Sequence, residues 1–271
     1  MSRRRKSFSI IFIFVLIVLP FTFYCYYKKQ LNSKNNHVPV LMYHHVKSGT
    51  KTDLIVSKKD FEKEMKYLHD NRYRTLTLDE AYNYIKRDKQ LPKKSVVLTF
   101  DDGYKDNYEN AYPILKKYRF KATIFMITNK IGQGEYLTLN QLKELNKNGF
   151  DIQSHTANHE NLSKLSYSKQ LDELESSKKE LEKLLNKKVR YLAYPYGEFN
   201  EDTIKACKAG GYRLAFRINE TWAEKDDGLY SLDRVFARGL LTEKQFEERV
   251  SEPGYYPIIK IVYHKIKDVI S

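Results

Sequence analysis

Cysteine is nearly absent: the 271 residues contain two. Cys25 sits in an apolar N-terminal run and Cys207 in the polar-patterned remainder, so no disulfide can form within the folded part. The chain must stand on its own core, and its length allows one large domain or two small ones. Zinc-finger spacing and any recognisable RNA-binding motif are missing too, which argues against a nucleic-acid partner despite the net charge of +14. Six of those charges (Arg3, Arg4, Arg5, Lys6, Lys28 and Lys29) flank the apolar run, leaving +8 for the rest. That remainder is spread through Lys-rich stretches such as 178–188, the usual mark of a solvated helix face. Attraction to anionic lipid or wall polymer is secondary.

The uncharged stretch Ser7 to Tyr27 is long enough to cross a hydrocarbon core of about 30 Å. Pro20 is tolerated in such a helix. Phe23-Tyr24-Cys25 lacks the small residues of a cleavage or lipoprotein site, so an uncleaved anchor is expected in preference to a signal peptide. Basic residues stay cytoplasmic, which puts the N-terminus inside and the bulk of the chain outside. The expected organisation is a basic stub and membrane anchor over 1–29, a polar linker over 30–37 and a domain over 38–250. Residues 251–271, with the apolar run Tyr255 to Tyr263, form a last strand or a tail.

Within the domain, strand and helix patterns alternate. Strands are expected at Val38 to Tyr43, Ser95 to Phe100, Ala122 to Thr128, Phe150 to Ser154, Val189 to Tyr194 and Tyr212 to Arg217. Ser57 caps a helix to about His69 with Phe61, Met65 and Leu68 on one face. Thr77 with Glu80, and Thr138 with Gln141, form capping boxes, and Gly149 ends the second helix. A helix over 107–118 should bend or restart at Pro113, and further helices span 166–186 and 200–209. Alternation of this kind implies parallel βαβ units, and roughly six or seven of them close, or nearly close, a barrel. The fold class is therefore α/β, a distorted (β/α) barrel with fewer than eight units, preceded by one transmembrane helix.

Chemistry in such barrels sits at the C-terminal ends of the strands. Four clusters fall there: His44 and His45, Asp101 and Asp102, His155 with His159, and Tyr194-Pro195-Tyr196-Gly197. Two adjacent carboxylates at the end of an apolar strand repel and resist desolvation, a cost that a bound cation offsets. His155 and His159 are four apart, so a helical turn puts both on one face. Two imidazoles and one carboxylate make a three-ligand site with an open position, as a catalytic zinc requires. The neighbouring aspartate is then free to take a proton from the attacking water. An Asp-Gly turn or a loop-capping histidine would explain either cluster alone, but not both together.

TFDDG, SHTANH and AYPYG, in that order, resemble the first three motifs of polysaccharide deacetylases of the NodB-homology class, the fourth carbohydrate esterase family. LMYHHV and AYPYG look most like the poly-N-acetylglucosamine deacetylases of biofilm matrices, and the likeness runs from about Val38 to Arg249. The resemblance implies a divalent metal, usually zinc, held by Asp102, His155 and His159. It implies Asp101 as base, the Tyr196 N–H at the oxyanion beside the Tyr194 turn, and His44 as the acid that protonates the leaving amine. The arginine that usually opens the third motif is missing, since Ala193 stands there. Arg234, in Leu232-Asp233-Arg234-Val235, or Arg238 is the expected substitute for orienting the base. The family's late leucine-x-histidine motif is missing from its usual place, and His264 resembles it only superficially. The reading is a membrane-anchored, extracellular N-deacetylase acting on poly-β-1,6-N-acetylglucosamine. Peptidoglycan is the rival substrate, and a non-catalytic glycan-binding module is the rival class.

Overall fold

The computed structural model describes residues 37–49, 51–87 and 91–251. The expected membrane span, the linker up to residue 36 and the tail beyond Ser251, with His264, lie outside the described residues. Among those described, no helix is long and apolar enough to cross a membrane. In chain order the elements are β1 (His37–Val38), β2 (Val40–Tyr43), β3 (His45–Val46), β4 (Ile55–Val56), α1 (Lys58–Asp70), β5 (Arg74–Thr75), α2 (Leu78–Arg87) and β6 (Ser95–Phe100). There follow α3 (Tyr112–Lys117), β7 (Thr123–Met126), α4 (Leu139–Lys147), β8 (Asp151–Ser154), α5 (Tyr167–Leu185) and β9 (Tyr191–Ala193). The last are α6 (Glu201–Ala209), β10 (Leu214–Phe216), β11 (Ala223–Glu224), β12 (Val235–Phe236) and α7 (Glu243–Ser251).

The helices follow their local chemistry. Ser57 Oγ accepts the Asp60 N–H at the start of α1, and Phe61, Met65 and Leu68 are buried beneath it. Thr77 and Glu80 bond reciprocally ahead of α2, as do Thr138 and Gln141 ahead of α4. The helix expected over 107–118 divides into a π-helical turn at Asn107–Ala111 and α3, whose first turn holds Pro113. A proline is tolerated there because its missing N–H has no partner to lose. Pro39 also splits the strand expected at Val38 to Tyr43: β1, which takes in His37 from the expected linker, pairs antiparallel with β11, while β2 joins the main sheet.

That sheet is parallel and runs β10-β9-β8-β7-β6-β2-β12, with β5 alongside the first half of β6. One segment closes it. Leu232 N–H donates to the Ala215 carbonyl (3.1 Å) and its carbonyl accepts from Arg217 (2.9 Å), on the β10 edge. A few residues later Val235 pairs with Leu41, and Ala237 N–H donates to the Met42 carbonyl (2.9 Å), on the β2 edge. The result is a distorted barrel with fewer than eight strand–helix units. Alternation along β6 sends Val96, Leu98 and Phe100 into the core beneath the helices, while Val97 joins Val40, Phe125, Tyr191, Leu214 and Leu232 in a second, interior cluster. Two residues further along that inner face come Thr99 and then Asp101.

Candidate active site

Asp101 ends β6 with its N–H donated to the Tyr43 carbonyl (2.9 Å) and its side chain buried. Arg234 meets it from the closing segment: Nη1 and Nη2 each donate to one carboxylate oxygen at 2.7 Å. Arg234 is fully buried, with its guanidinium 5.5 Å from the centroid of the Phe125 ring. Burial pushes the Asp101 carboxyl upward, but the Arg234 charge and then His155 outweigh it and hold the group below the ordinary aspartate range. Arg238 lies elsewhere, paired with Asp53 (2.6 Å) and Glu220 (2.7 Å).

Asp102 turns the other way because its backbone is left-handed, with φ of 69°. Gly103 follows at φ 82°, and a Cβ there would fall 2.1 Å from Met126 Sδ, so a side chain would strain the turn and displace Met126. Asp102 Oδ1 is buried and without a hydrogen-bond partner, and it faces His155 Nε2 and His159 Nε2 at 3.4 Å each. The ligand atoms of the three residues all lie within 4.8 Å of one another. His155 Nδ1 lies 2.8 Å from the Ala193 carbonyl; with the proton on that nitrogen, Nε2 presents its lone pair to the cluster. An orphaned carboxylate oxygen between two imidazole nitrogens fits a divalent cation of the zinc class, and three protein ligands leave a position open. Burial works against charging His155, but the Asp101 and Asp102 carboxylates outweigh it and raise its pKa. His159 moves the other way, lowered by burial and then by His155. Asp102 is raised by burial but driven lower by His155 beside it and by the other histidines, ending well below the ordinary aspartate value.

The HxxxH pair does not sit on a helical turn. Residues 155–161 form a bent loop in which Thr156 (φ 65°) and His159 (φ 63°) are left-handed. Polar anchors hold that loop: His159 N–H donates to Thr156 Oγ1 (2.9 Å), and Glu173 Oε2 of α5 accepts the N–H groups of Ala157 (3.1 Å) and Asn158 (2.9 Å). Left-handed non-glycine residues cost energy and persist where the surroundings over-determine them, often at functional sites.

The other predicted residues divide. Tyr196, itself left-handed (φ 60°), exposes its ring and sets it edge-on to His159 with centroids 4.8 Å apart. The Tyr194 side chain points into the core instead, where its hydroxyl donates to the Tyr230 carbonyl (2.8 Å) and its ring stacks on Phe199. His44 feels the fields of Asp101, Asp102 and Arg234, although burial is the larger influence and lowers its pKa. Its Nδ1 is buried without a partner. His45 is tied to Asp106 (2.7 Å) and stacked on Tyr104. Tyr104 and Glu173 were not foreseen. Tyr104 could have been read from its place directly after Asp101-Asp102-Gly103, whereas nothing local marks Glu173, which lies in an ordinary helix.

The Polysaccharide deacetylase family model matches residues 88–215. The Bacillus subtilis protein YxkH, named for the same family, is 45% identical over 198 residues, covering 73% of this chain and 70% of its own. The poly-beta-1,6-N-acetyl-D-glucosamine N-deacetylase of Staphylococcus aureus is 33% identical over 250 residues, covering 82% of this chain and 84% of its own. Among solved structures, the Streptococcus pyogenes deacetylase PplD in complex with acetate superposes with a TM-score of 0.76 at 34% identity, covering 79% of this chain and 98% of that one.

Proposed function

This chain belongs to the polysaccharide deacetylase family, and from that premise we propose that it removes N-acetyl groups from an extracellular polymer of β-1,6-linked N-acetylglucosamine, with zinc as cofactor. Hydrolysis of N-acetylated polysaccharide follows from the family; the polymer, the metal and the location are our reading. One observation carries it: a buried, arginine-clamped carboxylate, Asp101, beside the Asp102–His155–His159 cluster. The identity to the S. aureus enzyme supports the choice of polymer.

Asp102, His155 and His159 would hold the cation. When bound, it supplies Lewis acidity to the acetamide carbonyl and to the attacking water. Asp101 accepts the water's proton, and Arg234 keeps its carboxylate ionised and fixed in direction. The backbone N–H of Tyr196 donates to the oxyanion that develops on the substrate. His44 protonates the departing amine; a lowered pKa makes it a strong acid once charged. The basic-apolar-basic pattern of residues 3–29 supports anchoring in the membrane with the domain outside.

Acetate release from poly-β-1,6-N-acetylglucosamine and from peptidoglycan, assayed side by side with zinc and with Asp101→Asn as control, tests the proposal. Release from the first polymer alone, lost in the control, supports it. Release from peptidoglycan alone replaces the substrate, and polymer retention without acetate under any metal returns the chain to the glycan-binding class.

A further inference from the structure

The barrel has a charged end opposite its active site. Parallel pairing with Arg74 opposite Ser95, Thr123 opposite Asp151 and Leu214 opposite Tyr191 brings the N-terminal ends of the strands to one side. The loops leading into them carry cations: Arg74 at β5, Lys93 and Lys94 before β6, Lys121 before β7, Arg190 before β9 and Arg213 before β10. All but Arg190 are exposed, and Arg190 is half-buried. Helix dipoles do not account for them, because that effect fades beyond the last turn and Lys93, Lys94, Lys121, Arg190 and Arg213 lie several residues past their helices. Acids share the face: Asp151 at the start of β8 pairs with Lys187, Glu224 of β11 pairs with His37, and two more lie among the cations just named. Glu80 pairs with Arg74 (2.7 Å) and lies 3.9 Å from Lys121, while Asp79 lies 3.5 Å from Arg190 and 4.0 Å from Arg213. Lys93 is not paired with either, and Lys94 spends its ammonium on the Asn71 carbonyl (2.9 Å).

The chain also arrives at this end. β1 precedes β2 at its base, and His37, paired with Glu224 at 3.0 Å, is the first described residue. From Lys29 to His37 the backbone spans at most about 28 Å when fully extended. We infer that this basal face rests on an anionic membrane surface, so that the active-site mouth, at the far ends of the same strands, opens away from the bilayer toward the polymer. The inference depends on the anchoring proposed for residues 7–27. Juxtamembrane cations are attracted to anionic lipid over about a Debye length, and the short linker keeps the face within reach of it.

The test uses the full chain reconstituted in nanodiscs of phosphatidylcholine, with or without phosphatidylglycerol, and brief amine acylation mapped by mass spectrometry. Lys93, Lys94 and Lys121 should react about threefold or more slowly in the anionic discs and recover in high salt, while Lys59 and Lys169 at the opposite end stay unchanged. In the double variant Lys93→Glu, Lys94→Glu, the protection at Lys121 should weaken. Extraction of the chain by alkaline carbonate would overturn the anchoring premise. Retention with undiminished basal acylation, or with equal protection at both ends, would overturn the docking alone. Equal protection by a soluble polyanion in neutral discs would reassign the face to an anionic polymer.

Discussion

Arg234 and Asp101 meet inside the barrel through two parallel hydrogen bonds of 2.7 Å, one residue arriving from the closing segment and the other from the end of β6. Both are buried, so the pair is held by geometry rather than by solvent, and each charge leaves the other costly if removed.

Arg234→Met should therefore lower turnover about 10²–10⁴-fold, the range lost when a general base is mispositioned. Metal content, read by elemental analysis, should stay at the wild-type level. The orphaned carboxylate should cost about 3–5 kcal/mol of stability, and adding Asp101→Asn should recover part of it. Without the guanidinium, burial pushes the Asp101 pKa up, so the acid limb of the pH–rate profile should move to higher pH. Unchanged turnover would remove Arg234 from the mechanism.

The two aspartates should separate experimentally. Asp101→Asn is expected to keep its metal and lose about 10²–10⁴-fold in turnover. His155→Ala and His159→Ala should lose bound metal and activity together. A chelator should abolish acetate release, and added zinc should restore it in the wild type but not in the histidine variants.

Glu173 holds the loop that carries both histidines, through the N–H groups of Ala157 and Asn158. Glu173→Ala should weaken metal affinity about 10–100-fold, as loss of a supporting hydrogen-bonded group typically does. Competitive titration with a chromogenic chelator would measure it; wild-type affinity would show that the loop holds its shape unaided.

Glu64 carries a pH dependence unconnected with catalysis. It is buried on α1, accepts the Tyr43 hydroxyl at 2.8 Å, and burial raises its pKa to about 8 despite that bond. The folded state thus binds its proton more tightly than the unfolded chain. Its contribution is whole below the unfolded value near 4.5 and is lost as pH rises toward 8, by about 3 kcal/mol at pH 7. Glu64→Gln keeps an acceptor for Tyr43 and should remove this slope in denaturation midpoints between pH 5 and 8. A slope that persists would place its origin elsewhere.

Local chemistry made most of the elements legible. Ser57 and Thr138 announce helix starts through bonds made within a turn, Pro113 does so by needing no N–H partner there, and buried strands show as mostly apolar runs such as Ser95 to Phe100. The short strands β3, β4, β5, β11 and β12 carry no readable signal because two residues show no period. The helical spacing of His155 and His159 misled for a related reason: side-chain anchors from Thr156 and Glu173, one of them distant in sequence, bend the segment into a loop.

The sequence by itself determined the ligand types, their order at strand ends and the family, because these depend on residue identity and short-range spacing. Only the tertiary structure decided between Arg234 and Arg238 as the partner of Asp101, turned Tyr194 into the core, and brought the cations that precede separate strands onto one face. Those outcomes depend on how a closing segment bridges two edge strands and on the register of parallel pairs, contacts between residues far apart in the chain that no local pattern encodes.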